Sequence, residues 1–249
     1  MPSPHRDRSD WLKRKNERRI ARLVELTPEI FPAAVWSHAL RQRLVPDSPS
    51  RAVEIYWLSH PLRAERLART LAARHGTPPG WRWRLAADGS EGLPKSFRTP
   101  PLPYREAAFA AGGGRCCVCG GPVFRFGWHR DIWQDGRANR RATWHAPCVA
   151  AWKFWNAPWQ HGRLLKRLQV HRCAATNRRL LRDAEVDHRI PLFRVWRQAR
   201  ETPWPHLLAY WGRPNLQVIN SGAHRLKCAA EAGERAAFPQ GLAAWQAPP

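Results

Sequence analysis

The chain has 249 residues, with 42 Lys and Arg against 19 Asp and Glu, a formal charge of +23. That length fits one large domain or two small ones, and a balance this basic points to a polyanionic partner, nucleic acid first. No apolar run approaches the roughly 20 residues that span a bilayer, and the basic N-terminus lacks the apolar segment of a secretory signal, so no membrane partner and a cytoplasmic location are expected. In that compartment the six Cys are read as thiols or metal ligands rather than disulfides. The 15 Trp supply core volume and, in part, candidate stacking platforms for bases; for any single Trp, core packing is the safer reading.

Residues 1–10 are polar and rich in Pro and Arg, a composition expected to be disordered. Asp10 is placed to cap a helix over Trp11–Glu25, and a second helix is expected over Ala33–Leu44 before Pro46. A third helical segment, Ser50–Ala73, is expected to split at Pro61 and to end at Gly76. Residues 1–75 thus read as a basic helical region without a motif that carries chemistry. Residues 76–111 read as a Pro/Gly-rich linker, with a strand candidate at Trp81–Leu85 and a short helix from Pro103 to Ala111.

Residues 112–160 carry the first chemical signal. Cys116-Cys117-Val118-Cys119-Gly120-Gly121 holds a Cys-x-x-Cys pair at 116 and 119, and His145-Ala146-Pro147-Cys148 holds a His-x-x-Cys pair. Four N/S ligands in two such pairs suit a tetrahedral structural Zn²⁺. Residues 122–144 alternate enough to be strands, and the second pair stands where a helix begins, with Pro147 in its first turn. Knuckle, hairpin and helix in this order resemble a treble-clef zinc finger. Cys117 is the spare thiol. Buried cysteines beside a surface His are the bland alternative.

A basic run follows, with Arg163, Lys166, Arg167, His171, Arg172, Arg178, Arg179 and Arg182. Such runs are usually solvated faces, but this one leads directly into the strand that carries the second signal, which makes phosphate contact a fair hypothesis. That strand is Glu185-Val186-Asp187-His188-Arg189-Ile190-Pro191-Leu192. After a connection with two helical pieces, Phe193–Arg200 and one capped by Thr202, comes Asn215-Leu216-Gln217-Val218-Ile219. Ala223-His224-Arg225-Leu226-Lys227 follows in the first turns of a helix that Ser221 is placed to cap. Cleaving a phosphodiester requires an activated nucleophile and neutralisation of charge on the phosphate and leaving oxygen. A His of near-neutral pKa can serve the first need and a hard cation the others. Neighbouring side chains on a strand face opposite ways, so Asp187 and His188 can serve one phosphate only where the strand ends or bulges, and Pro191 is consistent with an end there.

An Asp-His pair ending one strand, an Asn opening the next and a His in the following helix resemble, in that order, the HNH (ββα-metal, or His-Me finger) endonucleases. The resemblance covers roughly residues 170–235. It implies His188 as general base, Asn215 as the residue that orients the base through its loop, and Asp187 and His224 as ligands of a catalytic Mg²⁺ or other divalent ion. Arg178, Arg179, Arg189, Arg225 and Lys227 are the candidate nucleic-acid contacts. For Arg225 and Lys227, solvated helix charge is about as good a reading.

Many relatives also carry a zinc held by two Cys-x-x-Cys pairs around these motifs. Here those positions read Cys173-Ala174-Ala175-Thr176 and Asn220-Ser221-Gly222-Ala223, so that zinc is not expected, and the upstream Cys116/Cys119/His145/Cys148 set is the candidate to take over its stabilising role. The fold class expected is α+β, with an HNH nuclease domain over 161–236 and a loose tail over 237–249. The function expected is metal-dependent hydrolysis of DNA phosphodiesters. The rival readings are a non-catalytic, zinc-containing nucleic-acid-binding protein on a relic HNH fold, and a nuclease directed at RNA.

Overall fold

The computed structural model describes residues 10, 11, 14, 17, 18, 49–81, 98–104, 114–123, 143–199 and 201–237. It divides into two compact units, Met1–Pro78 with Tyr104–Trp152, and Pro79–Pro103 with Lys153–Pro249. The helix expected over Ala33–Leu44, most of those over Trp11–Glu25 and Pro103–Ala111, the strand at Trp81–Leu85, most of the hairpin over 122–144 and the tail lie outside the described residues.

In the first unit, helix α1 (Pro49–Ser59) and helix α2 (Pro61–His75) meet at Pro61. Proline lacks an N–H to donate and so is tolerated only in a helix's first turn; here it opens α2, and His60 before it leaves helical geometry at φ −124°, ψ 58°. Gly76 closes α2 at φ +70°, its N–H donating to Ala72 O, and Tyr104 Oη donates to the Gly76 carbonyl. The buried residues Ala64, Glu65, Ala68, Leu71 and Ala72 recur at helical spacing and form one stripe. Glu65 in that stripe is paired with Arg69 one turn on, at 3.4 Å. Helix α3 (Ala146–Asn156) begins with Pro147 in its first turn, as the sequence predicts.

The second unit holds the sheet. Strand β1 (Glu185–His188) pairs antiparallel with strand β2 (Leu216–Ile219), with Glu185 opposite Ile219 and His188 opposite Leu216. A helix over Gly162–Leu168 (α4) precedes them, and helix Ser221–Ala237 (α7) follows β2 directly. The order strand, strand, helix is therefore present in a mixed helical and small-sheet architecture. Between the strands run α5 (Leu192–Gln198) and a short α6 (Trp204–Leu207) that continues as a 3-10 turn over Leu208–Tyr210. The core of this unit is built by that connection: Phe193, Val195, Trp196, Trp204, Leu207, Leu208 and Trp211 are buried together with Val218 and Ile219. Each Trp removes on the order of 200 Å² from water, so these indoles do the packing that two four-residue strands cannot.

Two capping expectations are corrected. Thr202 does not cap α6. Pro203, at φ −52°, stands at that position without a side-chain hydrogen bond, and Pro205 occupies the first turn, where no amide needs a cap. Ser221 is the first helical residue of α7, not the residue before it, and its hydroxyl donates to Asp183 instead of receiving a helix amide.

Asn220 organises the segment that leads into β1. Its Oδ1 accepts from Leu181 N at 2.9 Å, its Nδ2 donates to Arg179 O at 3.2 Å, and its backbone N–H points to Cys173 Sγ at 3.4 Å. One side-chain amide and one thiol thus hold the 173–181 hairpin against the start of α7. Gln169 does similar work on the outer edge of β2: its Oε1 accepts from Val218 N at 2.7 Å and its Nε2 donates to Val218 O at 2.8 Å.

Candidate functional site

The first unit contains a cluster of metal-ligating side chains. Residues 116–121 form a tight turn, with Gly120 N–H donating to Cys116 O and Cys116 N–H to Gly121 O, both at 2.8 Å. Gly120 has φ +71°, a left-handed conformation open to glycine, and a Cβ there would run into the Tyr104 ring. Cys117 N–H donates to Thr143 O at 2.8 Å, joining the turn to the segment that enters α3. His145 lies just before that helix and Cys148 in its first turn. Cys116, Cys119, His145 and Cys148 are all buried, and their ligand atoms lie within 4.8 Å of one another. His145 Nε2 meets Pro122 O at 3.0 Å. A carbonyl only accepts, so Nε2 carries a proton, and Nδ1 is the atom that faces Cys119 Sγ at 3.3 Å and Cys148 Sγ at 4.0 Å.

Charge in this cluster is tightly constrained. Burial pushes the Cys148 thiol well up, and hydrogen bonding to Cys116 raises Cys119. Burial would raise Cys116 too, but hydrogen bonds from Cys119 and Cys148 and the charge of His145 bring it well below its ordinary value. Burial would lower His145, but the charges of Cys119 and Cys116 hold it well above. Three thiols and an imidazole at this spacing could hold a metal ion such as zinc, which would replace a lone buried thiolate–imidazolium pair with bound thiolates. The spare Cys117 is buried but is not one of the four.

The second unit brings Asp187, His188 and His224 to one cleft of about 1110 Å³, with Glu185 and Glu231 also in its lining. Strand β1 ends at His188, as Pro191 suggests, and the backbone bends away. Asp187 Oδ2 accepts from Lys227 Nζ and from Gln217 Nε2, each at 2.8 Å. Its other oxygen, Oδ1, faces His224 Nε2 at 3.8 Å, too far for a hydrogen bond. His224 Nδ1 lies 2.9 Å from Glu185 Oε2, which places a proton on Nδ1 and makes Nε2 the ring atom turned toward Asp187. Each residue therefore has its outer atom tied down and its inner atom turned to the other. Adjacent ligands of one octahedral Mg²⁺ lie about 3 Å apart, so these two atoms are within about 1 Å of the spacing that a shared cation would need.

His188 is half-buried, and its Nε2 is buried without a hydrogen-bond partner among the described residues. Burial pulls its pKa down to about 4; the Asp187 charge opposes this, while Lys227 and Arg98 reinforce it. The imidazole is neutral near pH 7. Asn215 is buried at the foot of β2. Its Oδ1 accepts from Ile190 N at 2.7 Å and its Nδ2 donates to Ile190 O and Tyr210 O, both at 2.8 Å. The loop that leaves His188 is thus pinned through Ile190, and Arg189 N–H adds a bond to Asn215 O at 2.7 Å.

Lys227 donates to His188 O at 2.9 Å and pairs with Asp187 and Glu231. Burial would lower its pKa, but the bonds to Asp187 and Glu231 hold it above the ordinary value. It is engaged inside an acidic set rather than presented to solvent. Arg178, Arg179, Arg189 and Arg225 are exposed and lie outside the lining of the cleft, whose basic side chains are Arg98, Arg163, Lys166 and Arg235. Reasoning from sequence missed Glu185, Gln217 and Glu231. Glu185 was findable, since it stands two residues before Asp187 and so on the same face of the strand. Gln217 and Glu231 needed the strand register and the helix packing.

Comparison of the chain with protein-family models, with curated proteins and with solved structures gives no match in any of the three.

Proposed function

We propose that the second unit is a metal-dependent HNH-type endonuclease that hydrolyses DNA phosphodiester bonds, and that the cysteine–histidine cluster of the first unit holds a structural Zn²⁺. The observation that carries the nuclease reading is the approach of Asp187 Oδ1 and His224 Nε2 to 3.8 Å in a cleft that His188 also lines. The order of Asp-His, Asn and His on strand, strand and helix supports the same reading, as does the formal charge of +23.

Asp187 Oδ1 and His224 Nε2 would hold the divalent cation. When bound, it supplies Lewis-acid stabilisation of the scissile phosphate and of the leaving oxygen. Glu185 keeps His224 in the ligating tautomer, and Lys227 with Gln217 keeps Asp187 turned toward it. His188, uncharged at pH 7 because burial disfavours its cation, accepts a proton from the attacking water. Asn215 and Lys227 hold the backbone on either side of that base, through Ile190 and through the His188 carbonyl.

The test is supercoiled plasmid incubated with the purified chain and Mg²⁺ or Mn²⁺, with EDTA and His188→Ala in parallel. Nicking or linearisation that disappears in both controls is the expected result. Cleavage that survives His188→Ala overturns the assignment of the base. A salt-sensitive gel shift with no cleavage of plasmid, single-stranded DNA or RNA overturns the enzyme reading in favour of a binding protein.

A further inference from the structure

Among the described residues, Trp57, Trp155, Trp196, Trp204 and Trp211 are at most 3% exposed, whereas Trp159 is 64% exposed. Its position is not a loose one. Trp159 sits in a 3-10 turn, Pro158–His161, whose Pro158 is buried. Gln160 N–H donates to Ala157 O at 3.1 Å, and the His161 ring packs edge-on against the buried Phe154 at 5.2 Å. The turn runs straight into Gly162, where a Cβ would lie 3.8 Å from Val186 Cγ2, so the turn is seated against the residue next to Asp187. Trp159 lines the same cleft as Asp187, His188 and His224. Arg163, one helical turn further on, lines it too, and so does Lys166. Arg163 has no ion-pair or hydrogen-bond partner among the described residues, whereas Lys166 Nζ reaches only the Arg182 carbonyl, at 3.3 Å.

An exposed indole on an anchored turn, flanked by cations, is the chemistry that grips unpaired nucleotides: bases stack on the aromatic face while phosphates meet the basic side chains. A paired base within a duplex has both faces covered by its neighbours and offers nothing to such a platform. We infer that Trp159 is a stacking platform for an unpaired base, and that the substrate of this site is DNA that is single-stranded or carries unpaired nucleotides next to the scissile phosphate. This rests on the nuclease reading of the cleft and names its substrate class.

The test measures binding, not cleavage. The full chain carrying His188→Ala is titrated with a labelled single strand, with the blunt duplex of the same sequence, and with that duplex bearing an unpaired flap. Trp159→Ala should weaken binding of the single strand and the flap roughly 5- to 100-fold, the range for loss of one base–aromatic stack, and leave the duplex within about twofold. Trp159→Phe should recover most of the loss, which separates stacking from folding. Arg163→Ala should weaken all three ligands and flatten their salt dependence. Equal losses on single strand and duplex, or no loss on either, overturn the platform while leaving the nuclease reading intact. A parent chain that binds none of the three overturns both.

Discussion

The amide of Asn215 makes three hydrogen bonds that the site depends on, and its removal has a calculable cost. In Asn215→Ala the bonds to Ile190 N, Ile190 O and Tyr210 O disappear. A hydrogen bond of this kind contributes about 1 kcal/mol net, and a group left unpaired costs about 1–3 kcal/mol. Ile190 is 46% exposed, so water replaces part of what its backbone loses. The sum is then about 2–3 kcal/mol, or roughly 10 °C in melting temperature for a unit of this size. Asn215→Asp keeps the acceptor for Ile190 N–H but turns carboxylate charge toward two carbonyl oxygens, so it should destabilise at least as much as alanine. Thermal unfolding of the full chain gives the first readout. Hydrogen exchange at the Ile190 amide gives the second, because its protection should be lost in Asn215→Ala and kept in Asn215→Asp. An unshifted melting temperature in Asn215→Ala, with the Ile190 amide still protected, would show that the loop is held by something other than this side chain.

Three further outcomes are expected. His188 falls from 6.5 to about 4 on folding. Between those values the unfolded chain binds more protons than the folded one, so stability is lost as the pH drops, by about 3 kcal/mol across the window; urea midpoints in EDTA should fall less steeply with acid in His188→Phe, and parallel curves would refute this. Glu185→Ala should weaken Mn²⁺ binding roughly 10- to 100-fold by freeing the His224 tautomer, with Glu185→Gln affected less because it can still accept from Nδ1; a paramagnetic-resonance titration showing wild-type affinity for the alanine variant would remove Glu185 from the site. Cys119→Ser should abolish stoichiometric zinc by elemental analysis and lower the melting temperature of the first unit, and a variant that retains its zinc would break the four-ligand assignment.

The parts legible in the sequence were those with short-range rules. Pro61 had to divide its helix because proline cannot donate to the preceding turn, and it does. The two ligand pairs announced a cluster by spacing alone, and their atoms converge. The strand end at His188 followed from Pro191. What could not be read was set at long range. The environment of Asp187 draws on Gln217 from the facing strand and Lys227 from the helix, neither of which shows in a linear pattern. Lys227 looked like a phosphate contact because it falls near the start of the helix that carries His224, but its spatial neighbours are Asp187 and Glu231. The caps at Thr202 and Ser221 failed for separate local reasons: the helix after Thr202 starts one residue later, with Pro203 at the cap position, and Asp183 claims the Ser221 hydroxyl.

The side chain of Gln169 has an effect beyond local order. A two-stranded sheet leaves unpaired N–H and C=O groups along its flanks, and such edges invite pairing with another chain. On β2 the Gln169 amide supplies one donor and one acceptor to Val218, as a neighbouring strand would, and the Ala174 N–H donates to the same carbonyl at 3.1 Å. At Val218 the edge is closed by one side-chain amide and one backbone amide of the 173–181 hairpin. Strand-by-strand self-association is blocked at that flank without a proline, a bulge or a charge, and Gln169→Ala would free the Val218 N–H while Ala174 still held the carbonyl.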